Sequence, residues 1–353
     1  MAGEDEMGLG VDDRAAQVLR YIVEDYISTA EPVGSRTVSK KMGQALSPAT
    51  IRNIMADLED MGFLAQPHTS AGRIPTGTGF RFYIDHLLLR RGLVLGEVEQ
   101  LNLAAQDAGG GAPADELVRQ VSRLLANLAC QASVVIVSRT DEQRLRSVSL
   151  MRASAEKILL VAVMQSGYVQ HRLIEGEPDV SSDDLEKINA YLNGLAEGLT
   201  LAELRVRVRA ELRKEKARYD RVMHRALIMG ARALADSGPG EVFVEGRANI
   251  LDQPEFAEDV QRLKRVLRAF EEKTVIFRLL DRAMASQAIQ VSIGTENPVE
   301  DLGDVSVVAS GYRQGASTMG SIGLIGPVRM DYSRVIPLVE YTANLLTTMF
   351  GQR

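Results

Sequence analysis

The chain has 353 residues, of which 45% are hydrophobic and 25% are charged, and its single cysteine is Cys130. This composition is typical of a globular protein of two or three domains, and it excludes disordered, collagen-like and disulfide-stapled chains. No apolar run approaches the ~20 residues that cross a bilayer, and the acidic N-terminus has no apolar signal core. We therefore expect a cytoplasmic protein with no membrane partner. The net charge of −6, taken alone, argues against nucleic-acid binding.

The charge is distributed unevenly along the chain. Residues 1–31 contain two basic and eight acidic residues and carry −6, whereas residues 32–81 contain six basic and three acidic residues and carry +3. Residues 201–232 contain ten basic and four acidic residues and carry +6. A polyanion senses charge within a Debye length of about 8–10 Å, so the local sign matters more than the sum. Nucleic-acid binding by one segment of the chain therefore stays open.

Three helices are predicted in the first sixty residues. Apolar residues recur at the spacing of an amphipathic helix over residues 12–27. Ser35 begins a short second helix, and Gly43 ends it. The third helix has Ser47 at the N-cap and Pro48 at the first helical position, where each of these residue types is favoured.

A ribbon is predicted after the third helix. The apolar runs 63–65 and 79–83 bracket a polar segment, and this pattern predicts two strands joined by a long tip. Three helices followed by a ribbon are the order of a winged helix-turn-helix, in which the helix after the turn enters the major groove of DNA. Two alternatives stay open, namely a plain helical subdomain with solvated charges and a protein-interaction module of the same shape.

The third helix carries the strongest functional signal. Its apolar residues must face inward, which leaves Arg52 and Asn53 on the outward face together with small residues. Arginine pairs with guanine and asparagine pairs with adenine in the major groove, and the N-terminal end of a helix offers amide groups to a phosphate. The candidate DNA-binding residues are Arg36, Lys40 and Lys41 on the second helix, Ser47, Ala49, Thr50, Arg52 and Asn53 at the third, and His68, Thr69, Ser70 and Arg73 on the wing.

The remainder of the chain is predicted to mix strands and helices. Residues 180–275 are predicted to be mostly helical and to interrupt, in sequence, the sheet of a mixed domain. The alternative is two consecutive small domains. Strands are expected at 133–138, 146–151, 157–165, 168–174, 241–244, 289–293, 305–310 and 319–325, and a final helix at 331–350.

No group of residues predicts catalysis, a cofactor or a metal site. The four histidines are scattered without the spacing of metal ligands, and the chain has neither a nucleophile elbow nor a Walker loop. Gly320, Gly323 and Gly326 have GxxGxxG spacing, which favours glycines of a strand over a phosphate-binding loop. We therefore predict that the protein is not an enzyme and uses no cofactor.

Two further features have ordinary structural explanations. The basic run 205–225 is interleaved with acids, which favours a solvated helix face over a second nucleic-acid surface. The apolar neighbours of Cys130 favour a buried and inert thiol. Neither feature adds a functional site to the prediction.

Several long motifs occur in both halves of the chain. They are PVGSR at 32–36, SPATIRN at 47–53, LE at 58–59, GFL at 62–64, PHTSAGRIPT at 67–76, NILDQPEF at 249–256 and GPVRMDYSRVI at 326–336. In sequence and in order these motifs closely resemble the HrcA family of heat-inducible transcription repressors. The acidic residues 1–13 and the glycine-rich loop at 109–113 depart from the family pattern.

The resemblance implies an α+β multidomain fold and a regulatory function. It implies a winged helix-turn-helix domain at residues 1–90, a GAF-like α/β domain in two segments, 91–179 and 276–353, and a helix-rich dimerisation domain inserted at 180–275. It further implies a homodimer that represses chaperone operons at an inverted-repeat operator on double-stranded DNA, called CIRCE, and that the chaperonin GroEL keeps active. The alternative is a small-molecule-responsive regulator whose GAF-like domain binds an effector.

Overall fold

The structure of the chain is a computed structural model. The described residues are 11–68, 71–109, 114–138, 144–154, 156–165, 169–175, 181–215, 227–231, 240–286, 288–314 and 317–351. They form a mixed α/β structure of helices and antiparallel sheets. Among these residues, no helix combines the length and the apolar character needed to cross a bilayer.

Three helices form the N-terminal unit, as predicted. They are α1 (Asp13–Thr29), α2 (Ser35–Lys41) and α3 (Pro48–Asp60). The Asp12 carboxylate accepts a hydrogen bond from the Ala15 N–H at 2.7 Å, and the Ser47 hydroxyl accepts one from the Thr50 N–H at 3.1 Å. These side chains satisfy donors that a helix start leaves unpaired, which is why α1 and α3 begin where they do.

A short ribbon follows α3. Strand β1 (Leu64–Ala65) pairs antiparallel with β2 (Ile74–Pro75), and the backbone groups of Val33 and Arg73 bond to each other twice, both at 2.9 Å. Residue 72 must be glycine at this crossing, because a Cβ there would lie 2.4 Å from the Val33 carbonyl oxygen. The ribbon is therefore joined to the residues that precede α2.

The predicted second strand of the ribbon, residues 79–83, is wrong, because this segment is helical. It lies in α4 (Gly77–Phe82) and in the π-helical turn 83–87 that continues α4. Thr76 is the physical reason: its Oγ1 accepts from the Gly79 N–H at 3.0 Å as an N-cap, and its own N–H donates to the Phe63 carbonyl at 3.0 Å. The ribbon instead uses residues 74–75 as its second strand.

The rest of the chain forms helices and two antiparallel sheets. The helices are α5 (Leu95–Gly109), α6 (Ala114–Ala129), α7 (Ser182–Ala196), α8 (Leu201–Glu215), α9 (Ala248–Leu251), α10 (Pro254–Ala257), α11 (Val260–Glu271), α12 (Lys273–Ala285) and α13 (Tyr332–Gly351). The strands are β3 (Ala132–Ser138), β4 (Leu145–Arg152), β5 (Lys157–Met164), β6 (Val169–Glu175), β7 (Gly240–Glu245), β8 (Gln290–Ile293), β9 (Val305–Gln314) and β10 (Ser317–Pro327). Each predicted strand is present within two residues of its expected ends, except that β9 continues further.

The larger sheet has the strand order β7-β3-β10-β9-β8 and is covered on both faces. Helices α6 and α13 pack on one face, with α5 against them, and α12 packs on the other face, with α11 against it. Val135 and Val137 of β3 belong to the hydrophobic core that contains residues of α6 and α13. Val134 and Ile136 belong to a second hydrophobic core, which contains residues of α11 and α12. Burial on both faces explains why such a strand is a continuous apolar run in the sequence.

Gly320, Gly323 and Gly326 lie in β10, which confirms their prediction as strand glycines. A Cβ at Gly320 would lie 1.9 Å from the Ile136 carbonyl oxygen, and a Cβ at Gly326 would lie 2.0 Å from the Gln131 Oε1. Close approach of neighbouring groups therefore accounts for these glycines without a phosphate ligand.

Cys130 differs from its prediction, because it is exposed. It follows the end of α6 with a left-handed backbone conformation, φ 52°. The apolar residues before it face the core as part of a helix, and the change of backbone direction after the helix takes Cys130 out of that face. The basic run predicted at 205–225 lies on α8 as far as residue 215, and its remainder falls outside the described residues.

The smaller sheet has the strand order β4-β5-β6 and packs against α7. Two asparagines of α7 bond to the backbone of the edge strand β4. The Asn189 side chain accepts from the Leu150 N–H at 2.7 Å and donates to its carbonyl at 3.0 Å, and Asn193 does the same with Val148 at 2.8 and 2.7 Å. The helix thus supplies the partners that a further strand would otherwise supply.

The strand pairing departs from the expected segments 91–179, 180–275 and 276–353. Strands β4 to β6 were expected in the sheet of the first segment, but they form the separate smaller sheet. Strand β7 was expected in the insert, but it pairs with β3 in the larger sheet. The pattern of one strand reveals its period and burial but not its partner, and here the partners are about 100 residues apart in the chain.

Candidate nucleic-acid interface

Helix α3 presents a polar outward face. The side chains of Ala49, Thr50, Arg52, Asn53 and Ala56 are exposed, as predicted from the helical period. On the opposite side Ile51, Met55 and Leu58 are buried in the core, and Ile54 is half-buried. The helix is therefore held by one side and leaves the other side open to a partner.

The start of α3 offers fewer amide donors than a generic helix start. Pro48 has no N–H, the Thr50 N–H donates to Ser47 Oγ, and the Ile51 N–H donates to the Ser47 carbonyl at 3.0 Å. Ser47 Oγ also lies 2.9 Å from Thr50 Oγ1. Ser47 therefore acts mainly as the cap of α3, and the N–H groups of Thr50 and Ile51 are already used within the chain.

Helix α2 exposes Arg36 and Lys40, whereas Lys41 has a partner within the chain. The Lys41 ammonium donates to Asp25 Oδ1 of α1 at 2.5 Å. In the part of the chain that the structure describes, no ion pair joins Arg36, Lys40 or Arg52 to a carboxylate. The candidate cations are therefore of two kinds, those open to an outside anion and those neutralised internally.

The candidates on the ribbon also differ from one another. His68 is exposed, and Thr69 and Ser70 lie outside the described residues. Arg73 forms an ion pair with Glu59 of α3, with 2.8 Å between Nη2 and Oε2, and its side chain is only 20% exposed. Arg73 therefore connects the ribbon to the last turn of α3, and much of its charge is used inside the unit.

A cleft of about 500 Å³ separates the start of α2 and α3 from the ribbon. The side chains of Arg36, Arg52 and Arg73 line it. At the base of the ribbon, Gln66 Nε2 donates to the Ala71 carbonyl at 3.1 Å. The cleft joins the α3 face to the ribbon as one concave and mainly basic surface, which suits a polyanion better than a small apolar ligand.

Sequence reasoning missed the roles of Glu59 and Gln66 in this surface. Glu59 was grouped with the acids at the far end of the helix, and Gln66 was one residue of a polar segment. Glu59 pairs with Arg73, and Gln66 bonds to the Ala71 carbonyl. Both contacts form only when the ribbon folds back. No local pattern in the sequence carries that signal.

Comparison with known proteins finds relatives along the whole chain. The family model described as the HrcA protein C-terminal domain matches residues 115–336. The heat-inducible transcription repressor HrcA of Syntrophobacter fumaroxidans is 44% identical over 341 residues, which cover 96% of this chain and 97% of that protein. The HrcA protein of Geobacter sulfurreducens is 41% identical over 339 residues, which cover 96% of this chain and 98% of that protein.

A solved structure agrees with the fold. The crystal structure of a hypothetical protein, 24% identical in sequence, superposes with a TM-score of 0.63 over 97% of this chain and 99% of that chain. At this identity the likeness supports the architecture alone. The relatives in sequence carry the assignment, and they confirm the resemblance found in the motifs: the chain belongs to the HrcA family of heat-inducible transcription repressors.

Proposed function

We propose that the chain represses chaperone operons by occupying an inverted-repeat operator of the CIRCE type on double-stranded DNA. The observation that carries the proposal is the open face of α3, where Arg52 and Asn53 are exposed and Arg52 lines one cleft with Arg36. Among the described residues, Arg36 and Lys40 of the neighbouring α2 form no ion pair. This surface combines side chains that read base edges with charge that attracts phosphates. Repression then follows from occupancy of the operator.

In this proposal residues 1–90 are a winged helix-turn-helix, and α3 lies in the major groove. Arg52 and Asn53 contact base edges, and Ala49 and Thr50 allow close approach. Arg36, Lys40 and the helix start at Ser47 face phosphates, while His68, Thr69 and Ser70 of the wing face the flanking backbone or minor groove. Lys41 and Arg73 contribute less to phosphate binding, because Asp25 and Glu59 already neutralise them.

The operator is proposed to be bound by a homodimer. One reading segment carries only +3, so two units on two half-sites supply the affinity that one lacks. We assign dimerisation to the unit around the smaller sheet, which interrupts a GAF-like domain built on the larger sheet. In support, Met151, Val169 and Leu173 of β4 and β6 are 43–50% exposed and lie opposite the half-buried Leu159 and Val163 of β5.

The heat response is proposed to act through the population of the competent dimer. The family resemblance implies that GroEL maintains this population. When misfolded proteins occupy GroEL, the competent dimer would decline and the chaperone operons would be transcribed.

A mobility shift tests this function directly. The full chain is titrated against a CIRCE inverted-repeat duplex and against a scrambled duplex of equal length, at two stated salt concentrations, with and without GroEL. We expect preferential binding of the inverted repeat, stronger at the lower salt concentration, and a larger active fraction with GroEL. Equal binding of both duplexes would exclude operator recognition, and an unchanged active fraction would exclude the role of GroEL.

The small-molecule-responsive alternative gains no support from the following two clefts, which described residues line. A cleft of about 170 Å³ lies between the N-terminal unit and the body (the residues after 90), and a cleft of about 80 Å³ lies within the body. Ligand pockets for drug-sized molecules occupy roughly 300–1,000 Å³. Thermal-shift screening with metabolites separates the two proposals, because an effector that binds the native chain raises its melting temperature.

A further inference from the structure

Two family motifs contribute no residue to the α3 face, and the proposed DNA contacts leave them unexplained. They are residues 249–256 and 326–336, which belong to the body of the protein. In the structure both motifs reach the N-terminal unit. Their side chains form the seam between that unit and the body, and the contacts there are specific and mostly charged.

Arg329 makes the first contact of the seam. Its guanidinium forms a two-pronged pair with the Glu255 carboxylate, Nε to Oε1 and Nη2 to Oε2, the latter at 3.2 Å. The remaining Nη1 donates to the Ile27 carbonyl at 3.0 Å. Arg329 and Glu255 come from the two separate motifs, and their side chains are only 14% and 21% exposed.

The Ile27 carbonyl is a specific target for this guanidinium. It lies in the last turn of α1, where carbonyl groups have no partner within the helix and where the helix dipole favours a positive charge. Helix α1 has no basic residue of its own in that turn. The body therefore supplies a capping hydrogen bond to the first helix of the N-terminal unit, which is the reading unit of the proposed operator binding.

Arg81 makes a second contact in the opposite sense, from the N-terminal unit to the body. Its Nε donates to Glu296 Oε1 at 3.0 Å, its Nη2 donates to the Val291 carbonyl of the edge strand β8 at 2.7 Å, and the same Nη2 pairs with Glu296 Oε2. The Ile293 N–H donates to that carboxylate at 2.9 Å and orients it. Guanidinium groups with three fixed acceptors define an orientation, which a single charge contact does not.

An aromatic contact completes the seam. The rings of Phe80 and Tyr332 lie 6.1 Å apart and are both buried. Tyr332 donates from its hydroxyl to the Val328 carbonyl at 2.7 Å, which holds the ring in place. The seam thus combines two guanidinium contacts with a packed core, and it leaves the reading unit little freedom to turn against the body.

We infer that Arg329 is a positioning residue for operator binding, which acts through Glu255 and the Ile27 carbonyl to fix the direction of the reading unit. The inference rests on the proposed dimeric operator binding. A two-fold dimer reads two half-sites separated by a defined number of base pairs, so the direction of each reading unit sets the spacing that both can reach. Because the seam fixes the reading unit to the body, the dimer should prefer one spacing between the two half-sites.

A spacing series tests this inference with the full chain. Inverted-repeat duplexes of the CIRCE type are prepared with the spacer changed in steps of one base pair, together with a duplex that carries one half-site. We expect one sharp optimum for the unaltered chain. Arg329→Gln should bind the optimal duplex about tenfold more weakly, bind neighbouring spacings nearly as well as the optimum, and bind the single half-site with unchanged affinity.

Two further variants keep the test specific. Glu255→Gln retains the Arg329 contact with Ile27 and should flatten the spacing profile less. Arg334→Gln is the matched control, because Arg334 pairs with Glu97 at 2.7 Å within the body and should leave the profile unchanged. Melting curves of all variants report whether they fold.

Three outcomes would overturn the inference. The first is an unchanged spacing profile for Arg329→Gln, and the second is an equal loss on the single half-site, which would mean that Arg329 only stabilises the reading unit. The third is tighter binding of the optimal duplex, which would mean that the seam restrains binding. If the unaltered chain binds none of the inverted repeats, the proposed function itself fails, and that result is distinct from the other three.

Discussion

The arginines of α2 and α3 and the arginines of the seam have opposite environments. Arg36 and Arg52 point to solvent without a carboxylate partner among the described residues, whereas Arg81 and Arg329 each bind a carboxylate and a backbone carbonyl. A guanidinium whose hydrogen bonds are made within the chain holds the structure together. A guanidinium without such partners is available to an anion outside the chain. The local partners, and not the residue type, separate the reading surface from its support.

The largest effect is expected from the aromatic centre of the seam. Tyr332 is fully buried, so Tyr332→Ala should lower the free energy of unfolding by about 3–5 kcal/mol. Tyr332→Phe keeps the ring and should cost about 1–2 kcal/mol, because the hydroxyl contacts both the Val328 carbonyl and Ser306 Oγ, and the buried Ser306 loses that partner. Urea titrations measure both. A similar loss in the two variants would mean that the hydroxyl, and not ring packing, supports the seam.

Substitutions on the exposed face of α3 should change the affinity for DNA and leave the stability of the fold unchanged. Arg52→Ala or Asn53→Ala should weaken operator binding by about 1–3 kcal/mol and relax the base preference at one position of each half-site. Both side chains are exposed, so the melting temperature should hardly change. Mobility shifts on operator variants check the preference. Unchanged affinity and preference would remove α3 from the reading role.

Two neighbouring lysines provide a closer comparison of open and neutralised cations. Lys40→Ala should weaken binding to all DNA sequences alike and lower the slope of log K against log salt by about 0.9, because one phosphate contact is lost. Lys41→Ala should change that slope less, since Lys41 already pairs with Asp25. Binding measured over a salt series decides between them. Equal slope changes would show that the Asp25 pair opens on DNA.

The smallest effect is expected from pH at the seam. Burial raises the pKa of Glu296, but hydrogen bonds from Arg81 and the Ile293 N–H outweigh burial, and the net pKa is lowered. The carboxylate therefore stabilises the fold above its unfolded pKa of about 4.3, and this stabilisation is lost as the pH falls through the lower folded value. Between pH 6 and pH 3, Glu296→Gln should lose slightly less melting temperature than the unaltered chain. Parallel profiles would contradict this role.

Local patterns explain how much of the reading unit could be predicted. The caps at Asp12 and Ser47 and the apolar period of α3 are set by residues within a few positions, so the helices and the exposed Arg52 were predicted correctly. The ribbon was predicted only in part, because the Thr76 cap and the Phe63 carbonyl together turn residues 79–83 into helix. The exposure of Cys130 likewise depends on the backbone after α6.

The sequence by itself determined most helices and strands, with residues 79–83 the exception, and it determined which face of α3 is polar and, through its motifs, the family. Hydrogen-bond caps and burial periods act over a few residues, so they are legible in a single chain. Only the tertiary structure decided that β7 pairs with β3, that Asp25 and Glu59 neutralise Lys41 and Arg73, and that Arg329 caps α1. These contacts join residues from 14 to about 300 positions apart, and the folded packing of the whole chain selects them.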